Sequence, residues 1–231
     1  MPKIRDALHK VDIYEGFVVA EDSPHRKYGL GHRPGGGDSD LFRRLIGQIR
    51  PSVIVEVGTW FGGSAVTMAR AVRDLGLDCE IVCIDTWLTD DAMYQGGAHE
   101  CLNMKHGYPQ AYYTFLANVV EHGVQNYITP LPLQSVYGSI LLKELDVVAD
   151  LIYIDGAHRE DWVREDLENY QPLLRPGGTI FGDDYYDEST GVACAVSKRF
   201  GKNFWTYDWV GVPESLQKNR FWVHGPSLGE G

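Results

Sequence analysis

Short apolar runs, several of them followed by an acid, alternate along this chain with segments of helical periodicity. The runs that predict strands cover residues 53–57, 80–84, 126–131, 150–154 and 179–182. The run at 80–84 lacks the polar alternation of a half-exposed strand, which indicates burial on both faces, as in a parallel sheet. Alternation of such strands with helices predicts an α/β protein.

The helical segments are recognised by apolar residues that recur three or four positions apart and by their end signals. They cover residues 38–49, 64–75, 111–121, 135–145, 159–174 and 189–200. Two short strands are then predicted at 203–208 and 220–224. The connection between these two strands is too short for a crossover helix, so we expect an antiparallel hairpin at the edge of the sheet.

Length, charge and cysteine content narrow the class of protein. The chain has 231 residues, 44% of them hydrophobic, which suits one α/β domain of ordinary size. A net charge of −11 disfavours a nucleic-acid backbone or an anionic membrane as partner. We expect a cytoplasmic protein with reduced thiols, because the N-terminus lacks a signal-peptide core, no apolar run approaches a membrane span, and the four cysteines show no C-x-x-C pair.

The first strand runs into a glycine-rich turn, and a helix follows at once. The turn reads Glu56-Val-Gly58-Thr-Trp-Phe-Gly62-Gly63-Ser64. Glycine lets the backbone approach a ligand, and the free N–H groups at a helix N-terminus favour negative charge. These features predict a nucleotide cradle; the alternative is an ordinary strand–turn–helix corner. The spacing differs from the G-x-G-x-x-G of dinucleotide-binding folds, and no Gly-Lys-Ser/Thr follows as in a phosphate-binding loop.

An acid, Asp85, follows the second strand directly, 29 positions after Glu56. In doubly wound folds an acid at the tip of this strand accepts hydrogen bonds from ribose hydroxyls. A nucleoside ligand in the glycine turn would therefore have its ribose near Asp85. The alternative is that Asp85 caps a helix or a turn, which aspartate does readily.

The glycine turn resembles motif I of the class I S-adenosylmethionine-dependent methyltransferases, acid-x-Gly-x-x-x-Gly-x-Ser, with Glu56, Gly58, Gly62 and Ser64 at the matching positions. The resemblance implies S-adenosylmethionine as cofactor and assigns its ribose to Asp85. Many of these enzymes carry an acid or a polar residue near the adenine, where this chain has Gln134-Ser135. The implied cofactor site comprises Glu56, Gly58, Thr59, Gly62, Gly63, Ser64, Asp85, Gln134, Ser135 and Asp155.

Three further acids follow the fourth and fifth predicted strands, Asp155 after the fourth, and Asp183 and Asp184 after the fifth. Because consecutive parallel strands pair about 4.8 Å apart, we expect these acids to meet at the carboxyl edge of the sheet, two strands from the glycine turn. Carboxylates that share one point repel each other, and a hard divalent cation such as Mg²⁺ relieves that repulsion. The alternative is that the acids cap the adjoining helices, with solvent between them.

The segments around these acids carry a second, more specific resemblance. They are Asp155-Gly-Ala-His158, Leu173-Leu-Arg-Pro-Gly-Gly178 and Asp183-Asp184-Tyr185. They resemble the methyltransferase family that includes the macrocin-type sugar O-methyltransferases and the proteins named cephalosporin hydroxylases. The resemblance implies a Rossmann-like, doubly wound, seven-stranded sheet that is mostly parallel, with an antiparallel last strand. It also implies that Asp155, Asp183 and Asp184 hold Mg²⁺ beside a vicinal diol.

The resemblance covers roughly residues 38–224, so we expect one methyltransferase domain at 38–231 preceded by an N-terminal arm at 1–37. The arm is interpreted as an extension that closes over the cofactor or pairs with another subunit, or else as a mobile terminus. Residues 86–109 are an insert in which aromatic residues and methionines are interleaved with glycines and acids, which indicates a lid or an acceptor pocket. A homo-oligomer is compatible with the sequence.

The two resemblances, together with the three acids after the fourth and fifth strands, imply O-methylation of a small molecule. The acceptor would be a sugar or another diol or phenol. A free alcohol is a poor nucleophile at neutral pH, so the reaction needs a cation and a base. His158 is the predicted base because it is close to Asp155 in sequence and titrates near neutrality. Its alternative role is in the N-terminal cap region of the next helix, and Asp155 is the second candidate base. The alternative functions are an NAD-dependent oxidoreductase and a non-catalytic S-adenosylmethionine-binding module.

Overall fold

Helices and strands alternate along the part of the chain that the computed structural model describes, which is residues 4–19, 30, 38–89, 99–186, 190–208 and 220–228. The helices are α1 Ile4–His9, α2 Asp38–Ile49, α3 Gly63–Asp74, α4 His99–Leu102, α5 Ala111–Glu121, α6 Ser135–Glu144, α7 Glu160–Tyr170 and α8 Gly191–Phe200. The strands are β1 Val53–Val57, β2 Glu80–Ile84, β3 Ile128–Leu131, β4 Ala149–Ile154, β5 Leu174–Gly182, β6 Trp205–Asp208 and β7 Arg220–His224. Of the predicted arm and insert, residues 1–3, 20–29, 31–37 and 90–98 lie outside the described residues.

Within the described residues, seven strands form one sheet in the order β3-β2-β1-β4-β5-β7-β6. β1 to β5 are parallel to one another, and β7 runs antiparallel to both of its neighbours. The predicted seven-stranded sheet with an antiparallel last strand is therefore confirmed. β1 and β4 pair directly, at the point where the strand order reverses. The prediction that the acids lie two strands from the glycine turn holds for β5 and is wrong for β4.

Helices cover both faces of the sheet, which explains why its strands are apolar without alternation. Ile54 of β1 joins a core with side chains of α2, α3 and α5, and its neighbour Val55 joins a second core with side chains of α6, α7 and α8. Aromatic rings tighten the first core, where Phe42 of α2 packs edge-on against Tyr153 at 5.2 Å and Phe181 at 5.6 Å. Both faces of the central strands are thus buried in apolar cores. The packed sheet supports the loops that follow its strands at the carboxyl edge.

The junction of α7 and β5 differs from the sequence expectation, in which a helix continued to residue 174. The helix ends at Tyr170, and a 3₁₀ turn at Gln171–Leu173 follows. Pro172 lies in that turn and has no N–H to continue the helical hydrogen-bond ladder. β5 then begins at Leu174, and its pairing with β4 shifts register between Ala149 and Leu151. The strand therefore starts five residues earlier than the apolar run at 179–182 indicated.

The N-terminal segment that contains α1 packs along the outer side of β3. The Arg5 guanidinium donates to the Ile128 carbonyl at 2.7 Å, and the Tyr14 hydroxyl donates to the same carbonyl at 3.0 Å. His9 Nε2 lies 2.7 Å from the Pro130 carbonyl oxygen. The described part of the predicted arm is thus attached to the chain's own sheet. Nowhere in the described residues is a helix both long enough and apolar enough to cross a membrane.

Candidate active site

The glycine turn after β1 is in backbone contact with the end of β4. Gly58 has a φ of +83° and donates its N–H to the Ile84 carbonyl at 2.9 Å. A Cβ on Gly58 would lie 2.1 Å from the Asp155 carbonyl oxygen, far inside van der Waals contact. Only glycine satisfies both the backbone angle and the space. The predicted cofactor turn and the first predicted acid are therefore direct neighbours.

Asp85, at the tip of β2, hydrogen-bonds the same turn. Its Oδ2 accepts from the N–H groups of Thr59 and Trp60 at 2.9 and 2.8 Å. Its Oδ1 accepts from the Trp87 N–H at 2.7 Å. The capping role foreseen for Asp85 is thus present in the structure, while its contact with a ribose stays a prediction. The two roles are compatible, since a carboxylate accepts several hydrogen bonds.

Two side chains that sequence reasoning missed hold the turn from its other side. The Trp87 Nε1–H donates to the Trp60 carbonyl at 2.7 Å, and the Asn118 amide donates to the Phe61 carbonyl at 2.8 Å. Trp87 is 2% exposed and packs on the ring of Phe115 at 4.9 Å. A tryptophan two residues beyond Asp85 was assigned to the insert at 86–109, and the structure puts it in the core. Asn118 gave a weak signal, a polar residue within an apolar helix.

Glu56 lies beneath the turn, with no exposed surface. Its carboxylate accepts from the Ser64 hydroxyl, from the Thr59 hydroxyl at 3.1 Å and from the Cys83 thiol at 3.2 Å. Burial raises the pKa of Glu56 to about 7, and the three hydrogen bonds oppose that rise. Glu56 therefore acts on the predicted cofactor site through Ser64 and Thr59, from below the turn.

The last two glycines of the turn lead into α3. Gly62 has a φ of +88° and precedes the helix, and Gly63 is its first residue. A Cβ on Gly62 would lie 2.9 Å from the Phe115 ring, so the turn packs tightly on α5. Both glycines are buried. Gly62 therefore matches the motif for a steric reason, since a larger residue would meet the Phe115 ring.

Gln134 and Ser135 lie at the start of α6, above β3. Gln134 is exposed, has an extended backbone and accepts the Gly138 N–H through its carbonyl at 2.9 Å. Ser135 opens the helix, and its carbonyl accepts from the Tyr170 hydroxyl at 2.6 Å. Both residues thus lie at the carboxyl edge of the sheet, after β3, and their contact with an adenine stays a prediction.

Asp155, His158 and Asp184 form a cluster at the tips of β4 and β5. One potential ligand atom from each lies within 4.8 Å of the other two. His158 Nε2 is 3.1 Å from Asp184 Oδ2 and 3.8 Å from Asp155 Oδ1. The side chains are 31% exposed for Asp155, 55% for His158 and 13% for Asp184. The cluster is therefore open to solvent mainly at the imidazole.

Asp183 was predicted as the third metal ligand, and the structure gives it another contact. Its Oδ1 accepts the N–H of Asp184 at 2.7 Å. Asp184 itself has a φ of +56°, a left-handed backbone that turns the chain sharply after β5. The cluster found among the described residues contains His158 in place of Asp183. Metal binding by Asp183 stays a prediction.

The position of His158 depends on the first turn of α8. A Cβ on Gly191 would lie 2.3 Å from the His158 carbonyl oxygen and 2.6 Å from the Glu160 nitrogen. Because Gly191 has no side chain, α8 can pack directly on the loop that follows β4. The contact fixes the backbone at His158, and the imidazole lies 3.1 Å from Asp184, although 26 residues separate the two in sequence.

Burial raises the pKa of the Asp155 carboxyl above its usual value, and the Asp184 charge adds to the rise. The nearby His158 imidazole is the main opposing influence, and the Tyr153 hydroxyl, which donates to Asp155 Oδ2 at 3.0 Å, also opposes it. Two neighbouring carboxylates with one imidazole can share a proton or hold a cation. Either arrangement suits the activation of a hydroxyl group.

Comparisons with known proteins identify the family of this chain. The family model described as "Methyltransferase domain" matches residues 55–185, more than half of the chain. That span begins within β1 and ends just after Asp184, so it includes the glycine turn and the acid cluster. A relative, the uncharacterized protein y4gI of Sinorhizobium fredii, is 29% identical over 140 residues. The match covers 61% of this chain and spans only 14% of the relative's length.

Solved structures share the fold at low sequence identity. The Bacillus cereus O-methyltransferase in complex with S-adenosylhomocysteine has a TM-score of 0.58 and 14% identity, with 96% of this chain and 99% of that chain covered. The Streptomyces achromogenes O-methyltransferase TomG in complex with S-adenosylmethionine has a TM-score of 0.54, 17% identity and the same coverage. The family match, together with this fold, shows that the chain belongs to the methyltransferase-domain family, the S-adenosylmethionine-dependent methyltransferases of class I.

Proposed function

We propose that this protein transfers a methyl group from S-adenosylmethionine to a hydroxyl oxygen of a small molecule. The observation that carries the proposal is the backbone contact between the glycine turn and Asp155, with a Gly58 Cβ position 2.1 Å from the Asp155 carbonyl oxygen. A cofactor bound at the turn would have its reactive end beside the acid cluster. The cluster of two carboxylates and an imidazole suits proton removal from an oxygen nucleophile.

The donor set of the cluster fits a divalent cation. Asp155 and Asp184 offer carboxylate oxygens, which Mg²⁺ prefers, and His158 offers a nitrogen that softer divalent ions accept. The mutual repulsion of the two carboxylates is the physical reason for a cation there. Asp155 and Asp184 would hold it, with Asp183 as a further ligand. When bound, such a cation would orient the acceptor hydroxyl and lower its pKa.

His158 is the proposed general base. It is the most exposed member of the cluster, and its Nε2 lies 3.1 Å from Asp184, which would stabilise the imidazolium that forms. In the overall reaction the acceptor O–CH₃ bond forms as the S–CH₃ bond of the sulfonium breaks. The acceptor proton passes to His158, and S-adenosylhomocysteine leaves. Asp155 is the second candidate for the base, because burial raises the pKa of its carboxyl.

Calorimetry with S-adenosylmethionine and S-adenosylhomocysteine at tens of micromolar tests the cofactor. We expect binding of both, and no heat from either would contradict the proposal. Mass spectrometry of reactions with a panel of sugars, catechols and other phenols then tests for methyl transfer. Binding without any methylated product would favour the non-catalytic module. A larger rise in melting temperature with NAD than with S-adenosylmethionine would favour the oxidoreductase.

Two variants separate the role of metal ligand from that of base. Asp183→Asn, assayed after chelator treatment and Mg²⁺ addition, should lower activity if Asp183 holds the cation. His158→Gln should abolish turnover and keep the affinity for Mn²⁺, read by electron paramagnetic resonance, if His158 is the base. A loss of Mn²⁺ affinity in His158→Gln would instead make the imidazole a ligand.

A further inference from the structure

Tyr153 is a buried tyrosine of β4 whose hydroxyl reaches the acid cluster from inside the core. The residue is 2% exposed. Its ring packs against Phe181 at 4.7 Å and against Phe42, edge-on, at 5.2 Å. These two neighbours and Phe221, in the same core, are phenylalanines without a polar atom. Packing alone therefore does not explain why the ring at position 153 carries a hydroxyl group.

The Tyr153 hydroxyl donates a hydrogen bond to Asp155 Oδ2 at 3.0 Å. The two residues are two positions apart, so their side chains leave the chain on the same face of the sheet. Strand pairing continues to Asp155, because its N–H donates to the Val57 carbonyl at 2.8 Å. The carboxylate thus rests on a ring that is itself fixed by the packing of the core.

The two oxygens of Asp155 face different neighbours. Oδ2 accepts from Tyr153, and Oδ1 lies 3.8 Å from His158 Nε2, which is also 3.1 Å from Asp184 Oδ2. A hydrogen bond to one oxygen restricts the rotation of a carboxylate about its bond to Cβ. The Asp155 side chain is 31% exposed, so without that bond water would compete for both oxygens. Tyr153 therefore keeps Oδ1 directed at the other two members of the cluster.

We propose that Tyr153 is a positioning residue that holds the Asp155 carboxylate in the orientation in which the acid cluster works. The proposal rests on the function proposed above, in which Asp155 holds a cation or takes a proton. A hydrogen bond to a charged acceptor is stronger than one between neutral groups. Carboxylates that bind cations are oriented by such bonds from the residues behind them. Tyr153 acts through Asp155, and its ring stays in the core.

The proposed effect is selective, because Asp155 meets the glycine turn through its backbone and the cluster through its side chain. The Cβ position of Gly58 lies 2.1 Å from the Asp155 carbonyl oxygen, a contact that does not involve the carboxylate. Glu56, the register partner of Tyr153 on β1, holds the turn separately through Thr59. Loss of the Tyr153 hydroxyl should therefore change cation affinity and the chemical step, and leave cofactor affinity unchanged.

The test compares Tyr153→Phe with the unaltered protein. The variant should fold, because the ring keeps its contacts and water can reach the exposed part of the Asp155 carboxylate. We expect affinity for Mn²⁺, read by electron paramagnetic resonance, to fall about tenfold. With any acceptor found, kcat should fall by about 10- to 100-fold. Affinity for S-adenosylmethionine, measured by calorimetry, should stay within about twofold.

Tyr14→Phe is the matched control. Tyr14 is also a buried tyrosine of the same core, and its hydroxyl donates to the Ile128 carbonyl at 3.0 Å, the same length as the bond in Tyr153. It has no contact with the acid cluster among the contacts of the described residues given above. Tyr14→Phe should leave Mn²⁺ affinity, kcat and cofactor affinity unchanged. Equal losses in both variants would show a general effect of removing a buried hydroxyl, and would overturn the proposal.

Adding Tyr153→Phe to Asp155→Asn should cause no further loss of the remaining Mn²⁺ affinity or turnover, because the two residues act through one hydrogen bond. A further loss in the double variant would overturn the proposal. So would a Tyr153→Phe protein whose Mn²⁺ affinity and kcat both match those of the unaltered protein. If Tyr153→Phe does not fold, the comparison of the double variant with Asp155→Asn decides. An unaltered protein that neither binds S-adenosylmethionine nor transfers a methyl group would instead contradict the proposed function.

Discussion

Two groups of carboxylates lie at the carboxyl edge of the sheet, and they differ in what surrounds them. Glu56 and Asp85 accept hydrogen bonds from hydroxyl, thiol and backbone N–H groups of the chain itself. Asp155 and Asp184 face each other across one imidazole that is 55% exposed. The first pair holds the glycine turn in shape, and the second keeps its capacity for a proton, a cation or a substrate. Acids of one chemical type thus divide into a group that holds the turn and a group that we propose as the reaction centre.

Gly58→Ala should have the largest effect, because it breaks the contact between the two groups. The new Cβ would lie 2.1 Å from the Asp155 carbonyl oxygen, at a φ of +83°. We expect a loss of more than about 3 kcal/mol in the free energy of unfolding and no cofactor binding. Gly76→Ala is the control, since its φ is +61° and nothing lies within 4 Å of the added Cβ. It should cost about 1 kcal/mol, measured by urea denaturation.

Asp184→Asn should lower turnover without changing cofactor affinity, and so distinguish the acid cluster from the acids that hold the glycine turn. Removing one of two facing carboxylates relieves repulsion, so the free energy of unfolding should stay equal or rise. Turnover should fall by about 100-fold or more, because the imidazole loses its charged partner and any cation loses a ligand. Affinity for S-adenosylmethionine, measured by calorimetry, should stay within about twofold because the turn is untouched. Equal loss of affinity and turnover would show that the two groups are not independent.

Glu56 should make stability depend on pH in a direction opposite to that of an acid whose pKa is lowered by folding. Its pKa in the folded protein is about 7, above the ordinary value of 4.5, so between these two values the folded state holds a proton that the unfolded state has lost. The free energy of unfolding should therefore fall as pH rises from 4.5 to 7, by up to about 3 kcal/mol, and then level off.

Glu56→Gln should remove this share of the pH dependence, read from urea denaturation between pH 5 and pH 8. Asp166→Asn serves as the comparison. Burial raises the pKa of Asp166 to about 6, so the stability that this carboxyl loses with rising pH is lost by about pH 6 and not by about pH 7. A pH profile that is the same in Glu56→Gln and in the unaltered protein would contradict the assignment.

Trp87→Phe should give the smallest effect. Phenylalanine keeps an aromatic ring against Phe115 and loses the indole N–H that donates to the Trp60 carbonyl at 2.7 Å. We expect a loss of about 1 kcal/mol in stability and a small rise in the dissociation constant of the cofactor. Turnover at saturating cofactor should not change, and a large drop in turnover would place Trp87 in the reaction centre.

The fold was predictable because its signals are local. Apolar runs of strand length, helix periodicity and the short link before β7 give the element order, and the tips of β2, β4 and β5 follow from the acids that end them. The glycine turn was predictable from its spacing. Its steric reason was not, since Gly58 meets the backbone of Asp155, 97 residues away.

The composition of the acid cluster was predicted only in part. Strand order brings Asp155 and Asp184 together, and no pattern in the sequence indicates that Asp184 takes a left-handed backbone angle and donates its N–H to Asp183. His158 was expected as a base, and its Nε2 lies in the cluster, 3.1 Å from Asp184.

The side chains that lie along β3 have a consequence for assembly. An unpaired outer strand offers a row of carbonyl and N–H groups to which a strand of another molecule can add. Here Arg5, Tyr14 and His9 already occupy the carbonyls of Ile128 and Pro130. These polar side chains cover the edge without adding a strand that would itself need a partner. A second copy of the chain therefore finds these two carbonyls already occupied, which disfavours β-sheet extension at this end of the sheet.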